Sequence, residues 1–181
     1  MKTFEKITIT VLIFFTSISL NAQEEEAIQS QKITPFQMTL IYPLGTNGMV
    51  SKEMTNHVSV NLISGYSGGL DGFELSGFSG HLKNNMKGLQ LAGFSNSVLG
   101  EGDGAQIAGF SNFNKQHFAG FQLAGFSNVV KSNADAAQFA GFSNVVVGSV
   151  SGPQISGFMN VATENSGITQ IAGFSNMAQA E

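Results

Sequence analysis

A glycine followed by phenylalanine recurs seven times at one interval: Gly77, Gly93, Gly109, Gly125, Gly141, Gly157 and Gly173 stand sixteen residues apart. A short period that never slips belongs to chains whose units cannot bury a core alone and therefore stack on their neighbours. From Gln90 to Asn176 the text around each glycine is nearly fixed, reading QLAGFSN, QIAGFSN, QLAGFSN, QFAGFSN, QISGFMN and QIAGFSN. Four columns result. Glutamine holds one (Gln90, Gln106, Gln122, Gln138, Gln154, Gln170) and glycine the second (Gly93, Gly109, Gly125, Gly141, Gly157, Gly173). Phenylalanine holds the third (Phe94, Phe110, Phe126, Phe142, Phe158, Phe174) and asparagine the fourth (Asn96, Asn112, Asn128, Asn144, Asn160, Asn176). A degenerate start is visible at Ser64-Gly65-Tyr66-Ser67-Gly68, twelve residues ahead of Ser76-Gly77-Phe78-Ser79-Gly80.

The array reads as β structure. No segment carries apolar residues at three-to-four spacing over a helix length, and a glycine every few residues costs a helix heavily. In an extended strand Gln, Ala, Phe and Asn fall on one face and Leu or Ile, Gly and Ser on the other, which places apolar groups on both. That pattern suits a strand covered on both sides. The reading favoured is a β-solenoid with sixteen-residue coils, in which each Phe stacks about 4.8 Å above the last and the amides form ladders. On this reading the Phe column is buried, each ring contributing roughly 1.5–3 kcal/mol by transfer. The glycine beside it permits a tight bend or a close approach of the neighbouring layer. The alternative is an antiparallel meander or barrel with one strand per repeat. Asp71, Asp103 and Asp135, thirty-two residues apart, speak for it, as if alternate loops lay at one end.

The chain upstream of the array divides by composition. Lys2 and Lys6 precede an apolar stretch, Ile7 to Leu20, and Asn21-Ala22 offers a cleavage point, so residues 1–22 read as a secretory signal peptide. The stretch is shorter than the roughly 20 residues a spanning helix needs. Residues 23–31, opening on Glu24, Glu25 and Glu26, read as a flexible leader. Residues 32–63 hold two β-type runs, Phe36 to Tyr42 and Val58 to Ile63, with turn signals at Pro43 and Asn47-Gly48; they form an N-terminal strand pair or cap. Residues 64–181 are the array.

Composition excludes several functions. All eight basic residues are Lys and the chain carries no Arg and no Cys. Phosphate and nucleic-acid recognition rests on guanidinium forks and basic patches, so nucleic acid is not an expected partner. Lipid attachment at an N-terminal Cys and a disulfide framework are excluded outright. The three histidines, His57, His81 and His117, lack metal-ligand spacing and read as loop residues, and no cofactor is expected. Gly102-Asp103-Gly104 is too sparse for a calcium roll, which needs a Gly- and Asp-dense unit in every turn. Ser95, Ser111, Ser127, Ser143 and Ser175 recur without a base or an orienting acid, so they read as array residues and not as nucleophiles. The amide columns read as internal ladders; the competing reading is a periodic polar surface for polysaccharide or ice.

The run GLQLAGFSN, GAQIAGFSN, GFQLAGFSN, with Pro43-Leu44-Gly45-Thr46-Asn47-Gly48 and Val60-Asn61-Leu62-Ile63-Ser64-Gly65-Tyr66 before it, resembles the uncharacterised bacterial surface-repeat proteins built of G-x-Q-(I/L/V)-(A/G)-G-x-x-N units. The resemblance covers about residues 36 to 176. It implies an exported cell-envelope protein of a Gram-negative-type bacterium, at the surface, in the outer membrane or in the periplasm, with no catalytic activity, ligand or binding residues to carry over. The function expected is therefore structural or interactive, with an outer-membrane meander or barrel acting as anchor or pore, and a polysaccharide-binding repeat surface, as alternatives. An array ending after Asn176 leaves strand edges open, so self-association or a capping partner is expected there.

Overall fold

The computed structural model describes residues 32–164 and 169–178; the expected signal peptide and leader lie outside the described residues. The chain winds into a β-solenoid of about eight turns with sixteen-residue coils, and the meander and barrel are excluded. The first strand β1 (Lys32–Ile41) is followed by a two-residue strand β2 (Leu44–Gly45), a 3-10 turn at Gly48–Glu53 and the long β3 (Met54–Ser67). Each coil after that is two strands: β4 (Gly69–Ser76) and β5 (Ser79–Leu82), then β6 (Met86–Ala92) and β7 (Ser95–Val98). The pairs continue as β8 (Gly102–Ala108) and β9 (Ser111–Asn114), β10 (Phe118–Ala124) and β11 (Ser127–Val130), and β12 (Ala134–Ala140) and β13 (Ser143–Val146). The last are β14 (Gln154–Ser156) with β15 (Met159–Ala162), and β16 (Gln170–Ala172) with β17 (Ser175–Ala178).

From β4 onward every strand pairs in parallel with the strand one coil away, and the register is the sequence period itself. Gln122 stands between Gln106 and Gln138, and Asn128 between Asn112 and Asn144. The even-numbered strands from β4 form one face and the odd-numbered strands from β5 a second. β3 spans both, pairing with β4 through Thr55–Asn61 and with β5 through Ser64–Ser67. The expected N-terminal strand pair is β1 on β3, parallel in the same stack, while β2 folds back antiparallel on the end of β1. Among the described residues β16 and β17 pair on one side only, with β14 and β15.

Two details of register correct the sequence reading. Ser64, Gly65 and Tyr66 stand on Ser79, Gly80 and His81, fifteen residues on, and not on the Ser76-Gly77-Phe78 run at twelve. The offset is fifteen on both sides of the corner, Asn61 on Ser76 and Ser64 on Ser79, and becomes sixteen at Leu70 on Met86, because the link from Ser67 to Leu70 is one residue shorter than that from Leu82 to Met86. Asp71, Asp103 and Asp135 occupy one column with Lys87 and Ala119 between them, so their spacing reflects alternating identity along a parallel stack and not alternating loop ends.

The interior is divided. Away from the Gly-Phe corner it is apolar, with Leu70, Leu82, Met86, Val98, Phe118, Val130, Val146 and Val150 in one cluster. Toward the corner it is polar: Gln90, Gln106, Gln122, Gln138 and Gln154 are fully buried, as are Asn112, Asn128, Asn144 and Asn160. Beneath the first coils the same side is filled by Gln37, Asn56, Ser59 and Ser67, all at 0% exposure. Gln37 Nε2 donates to Thr39 and Ser67, and Asn47 and Asn56 donate to Gln37 Oε1. Buried polar groups are tolerated when their hydrogen bonds are made inside, as these are.

Candidate functional site

The corner at which each repeat turns is the feature that the sequence repeats most strictly, and it is built outward from glycine. A Cβ on Gly109 would lie 2.1 Å from the carbonyl oxygen of Gly93, and on Gly125 2.0 Å from that of Gly109. Real side chains never come so close, so the column admits only glycine where coils approach. A second glycine column, Gly72, Gly88, Gly104 and Gly120, serves the strand before the corner; Gly104 has φ +126°, a conformation L side chains rarely adopt.

The corner also takes Phe94 out of the alternation, while Gln90 and Asn96 on either side keep it. An uninterrupted strand would put Phe94 on the face of Gln90, Ala92 and Asn96, but the strand stops at Ala92, Gly93 and Phe94 form the bend, and the next strand starts at Ser95. Gln90, Ala92 and Asn96 therefore point inward and Phe94 points out. The expected buried Phe column is corrected accordingly: Phe94, Phe110, Phe126, Phe142 and Phe158 are 37–41% exposed, and Phe174 on the last coil is 76% exposed. Their rings stack on one another with centroids 4.8 Å apart and planes within 5° of parallel from Phe94 to Phe174. The faces of the rings are thus used within the ladder, and their edges meet the outside. The expectation of strands covered on both sides fails as well, because the face opposite the amides is left to the outside. Leu75, Ile107, Leu123, Ile155 and Ile171 lie outward at 36–54% exposure and run beside the rings as a second ladder.

The amide columns form two internal ladders of opposite sense. In the first, Gln106 Nε2 donates to Gln90 Oε1 at 2.8 Å, Gln122 to Gln106 at 2.8 Å, Gln138 to Gln122 at 2.7 Å and Gln154 to Gln138 at 2.7 Å, with Gln170 donating to Gln154. Every N–H points toward the N-terminal coils. In the second, Asn96 Nδ2 donates to Asn112 Oδ1, Asn112 to Asn128, Asn128 to Asn144, Asn144 to Asn160 and Asn160 to Asn176, each at 2.9 Å, pointing the other way. The same Asn nitrogens also bond across the corner to the following coil, as Asn112 does to the Leu123 carbonyl at 2.9 Å. Each Asn thus links a second strand to the first strand of the next coil. Chains of amides polarise one another, and two of opposite direction cancel much of each other's dipole.

Glu74, sixteen residues before Gln90, ends the Gln ladder, and sequence reasoning misses it because the run of identical glutamines begins only at Gln90. Its Oε1 accepts from Gln90 Nε2 at 2.8 Å and the side chain is fully buried. Burial pushes its carboxyl up to about 7, against the opposing hydrogen bond from Gln90. The Asn ladder has no counterpart at this level: position 80 is glycine, and a Cβ there would lie 2.2 Å from Glu74 Oε1. Asn96 Oδ1 and Glu74 Oε2 are accordingly left without hydrogen-bond partners among the described residues.

Other polar side chains gather weakly. The expectation of loop histidines is corrected for two of the three: His57 and His81 sit within strands, while His117 lies between strands. His57 Nδ1 is 3.8 Å from Asp71 Oδ2 and His117 Nε2 is 3.5 Å from Asp135 Oδ2, both pairs well exposed and worth little. Burial lowers the His81 imidazole pKa. Among the described residues no three His, Cys, Asp or Glu side chains come together as a metal set. Ser95, Ser111 and Ser127 form an in-register column beside the rings.

The fold and its corner define a parallel β-solenoid with internal amide ladders and an external apolar ribbon. Comparison with protein-family models, with curated proteins and with solved structures finds no match.

Proposed function

We propose that this chain is an exported structural or interaction protein of a bacterial cell envelope, acting through surface contact and without catalytic chemistry of its own. One observation carries the reading. Each repeat commits its amides to internal ladders and leaves an uncharged ribbon of ring edges and aliphatic side chains outside. What recurs is what stacks, and the part of the repeat that stays outside at the corner is apolar. The apolar stretch at Ile7–Leu20 behind Lys2 and Lys6, and the resemblance to bacterial surface-repeat proteins, support export. A polysaccharide surface draws less support, since sugars are held by outward amides and by the open faces of aromatic rings. Here the amides point inward and the ring faces cover one another.

Fractionation of expressing cells tests the proposal. The mature chain is expected in the envelope fraction, shortened near residue 22. Detergent dependence of its release reports whether it is held by the outer membrane. An uncleaved chain retained in the cytoplasm would overturn the reading.

A further inference from the structure

The outer ribbon is large for a surface left in water. At the exposures given above, with Phe78 at 52%, seven Phe rungs and their Leu and Ile neighbours present on the order of 1,000 Å² of apolar area, against the few hundred of an ordinary monomer's largest patch. That area is also comparable to the roughly 800 Å² per partner that a stable complex buries. We infer that the ribbon pairs with the same ribbon of a second copy of this chain, across a two-fold axis. The inference rests on reading the chain as an interaction protein and names the partner.

Three properties select a second copy. First, the ribbon is periodic: its Phe centroids repeat at 4.7–4.8 Å from Phe78 to Phe174, and another copy carries ladders of that same spacing. The ring edges of one copy can then lie along those of the other rung for rung, in the dry contact that identical side-chain ladders make between paired sheets. Second, the two columns hold only Phe, Leu and Ile, so bringing two ribbons together desolvates no charge. Third, the ribbon is self-complementary under a two-fold that crosses it, which sets the Phe column against the Phe column and the Leu and Ile column against its own copy. A lipid surface fits less well. Residues 23–181 hold six Lys against eleven acids, and no Lys stands in either column to engage anionic headgroups.

The chain has no cysteine, so single introduced thiols report contacts cleanly. Leu123 and Phe126 belong to the fourth of the seven rungs, the level at which a two-fold centred on the ribbon places each residue near its own copy. In the full chain purified from expressing cells, Leu123→Cys is expected to cross-link to a dimer under mild oxidation. Val147→Cys, outside both columns and 42% exposed, should stay monomeric on the same gel. Leu123→Lys is expected to weaken the monomer–dimer equilibrium by roughly tenfold or more in sedimentation equilibrium, while unchanged far-ultraviolet circular dichroism shows that the coil still folds. A chain that sediments as a monomer at high micromolar concentration overturns the inference. So does flotation of that monomer with phosphatidylethanolamine vesicles, which would assign the ribbon to lipid. A dimer indifferent to Leu123→Lys and cross-linked equally by both thiols would locate the association elsewhere. None of these results depends on where the chain fractionates, so the proposed export can stand or fall separately.

Discussion

The inner and outer ladders of this solenoid have the same period and the same regularity in sequence, yet opposite environments. Gln122 and Asn128 are fully buried and bonded along the axis on both sides, whereas Phe126, between them in sequence, is 41% exposed. Hydrophobicity alone would have reversed the two. What decides is the two-residue corner at Gly125-Phe126, which turns Phe126 outward while Gln and Asn, each three residues from the glycine, stay inward. A column of identical residues therefore reports that side chains stack; whether they stack inside or outside is set by where the strand breaks.

The contrast can be broken most severely at the glycine. Gly125→Ala places a methyl group against the Gly109 carbonyl, and is expected to destabilise by on the order of 4 kcal/mol in urea unfolding, since backbone and not a flexible side chain must shift. Next comes the inner ladder. Asn128→Ala removes the bonds to Asn144 and to the Phe139 carbonyl and leaves the Asn144 Oδ1 without its donor, a loss of about 3 kcal/mol. A loss under ~1 kcal/mol would mean that water enters the ladder.

The end of the Gln ladder gives a pH signature. Glu74 has its folded carboxyl raised from 4.5 to about 7, so the folded chain holds a proton that the unfolded chain releases between those values. Its contribution is complete below pH 4.5 and is lost as pH rises through about 7. Glu74→Gln keeps the acceptor for Gln90 and cannot ionise. Its stability relative to the parent is expected to rise across that window, reaching on the order of 2–3 kcal/mol at pH 8, with little difference at pH 4. A constant difference between the two chains at all pH values would contradict a buried, proton-holding Glu74. The smallest effect belongs to the outer ladder. Phe126→Ala should cost about 1–1.5 kcal/mol, the stacking and partial burial of one ring, well below the Asn128→Ala loss.

Much of the architecture was legible in the chain. The interval between Gly93 and Gly109 gives the coil length, and the Gln and Asn columns indicate parallel stacking with internal amides. The corner glycine signals close approach. What could not be read is the side taken by the bend itself: strict alternation placed Gln90 and Asn96 on one face, as they are, but carried Phe94 with them, because nothing in QLAGFSN marks Gly93-Phe94 as the two residues outside the strands. Glu74 was readable in principle, as sixteen residues before Gln90 lands on it, but a carboxylate in a column of amides does not announce itself by identity. The polar cluster of Gln37, Asn56 and Ser67 lay beyond the period altogether, since it is assembled by β1 and β3, whose register departs from sixteen.

The central claim, that the amides are the inside of this solenoid, is tested most directly by hydrogen exchange of side-chain NH₂ groups in solution NMR. The protons of Gln106, Gln122, Asn112 and Asn128 are predicted to exchange only as their coils open, orders of magnitude more slowly than a free amide. Exchange at the rate of an exposed glutamine would place these columns at the surface and contradict the account.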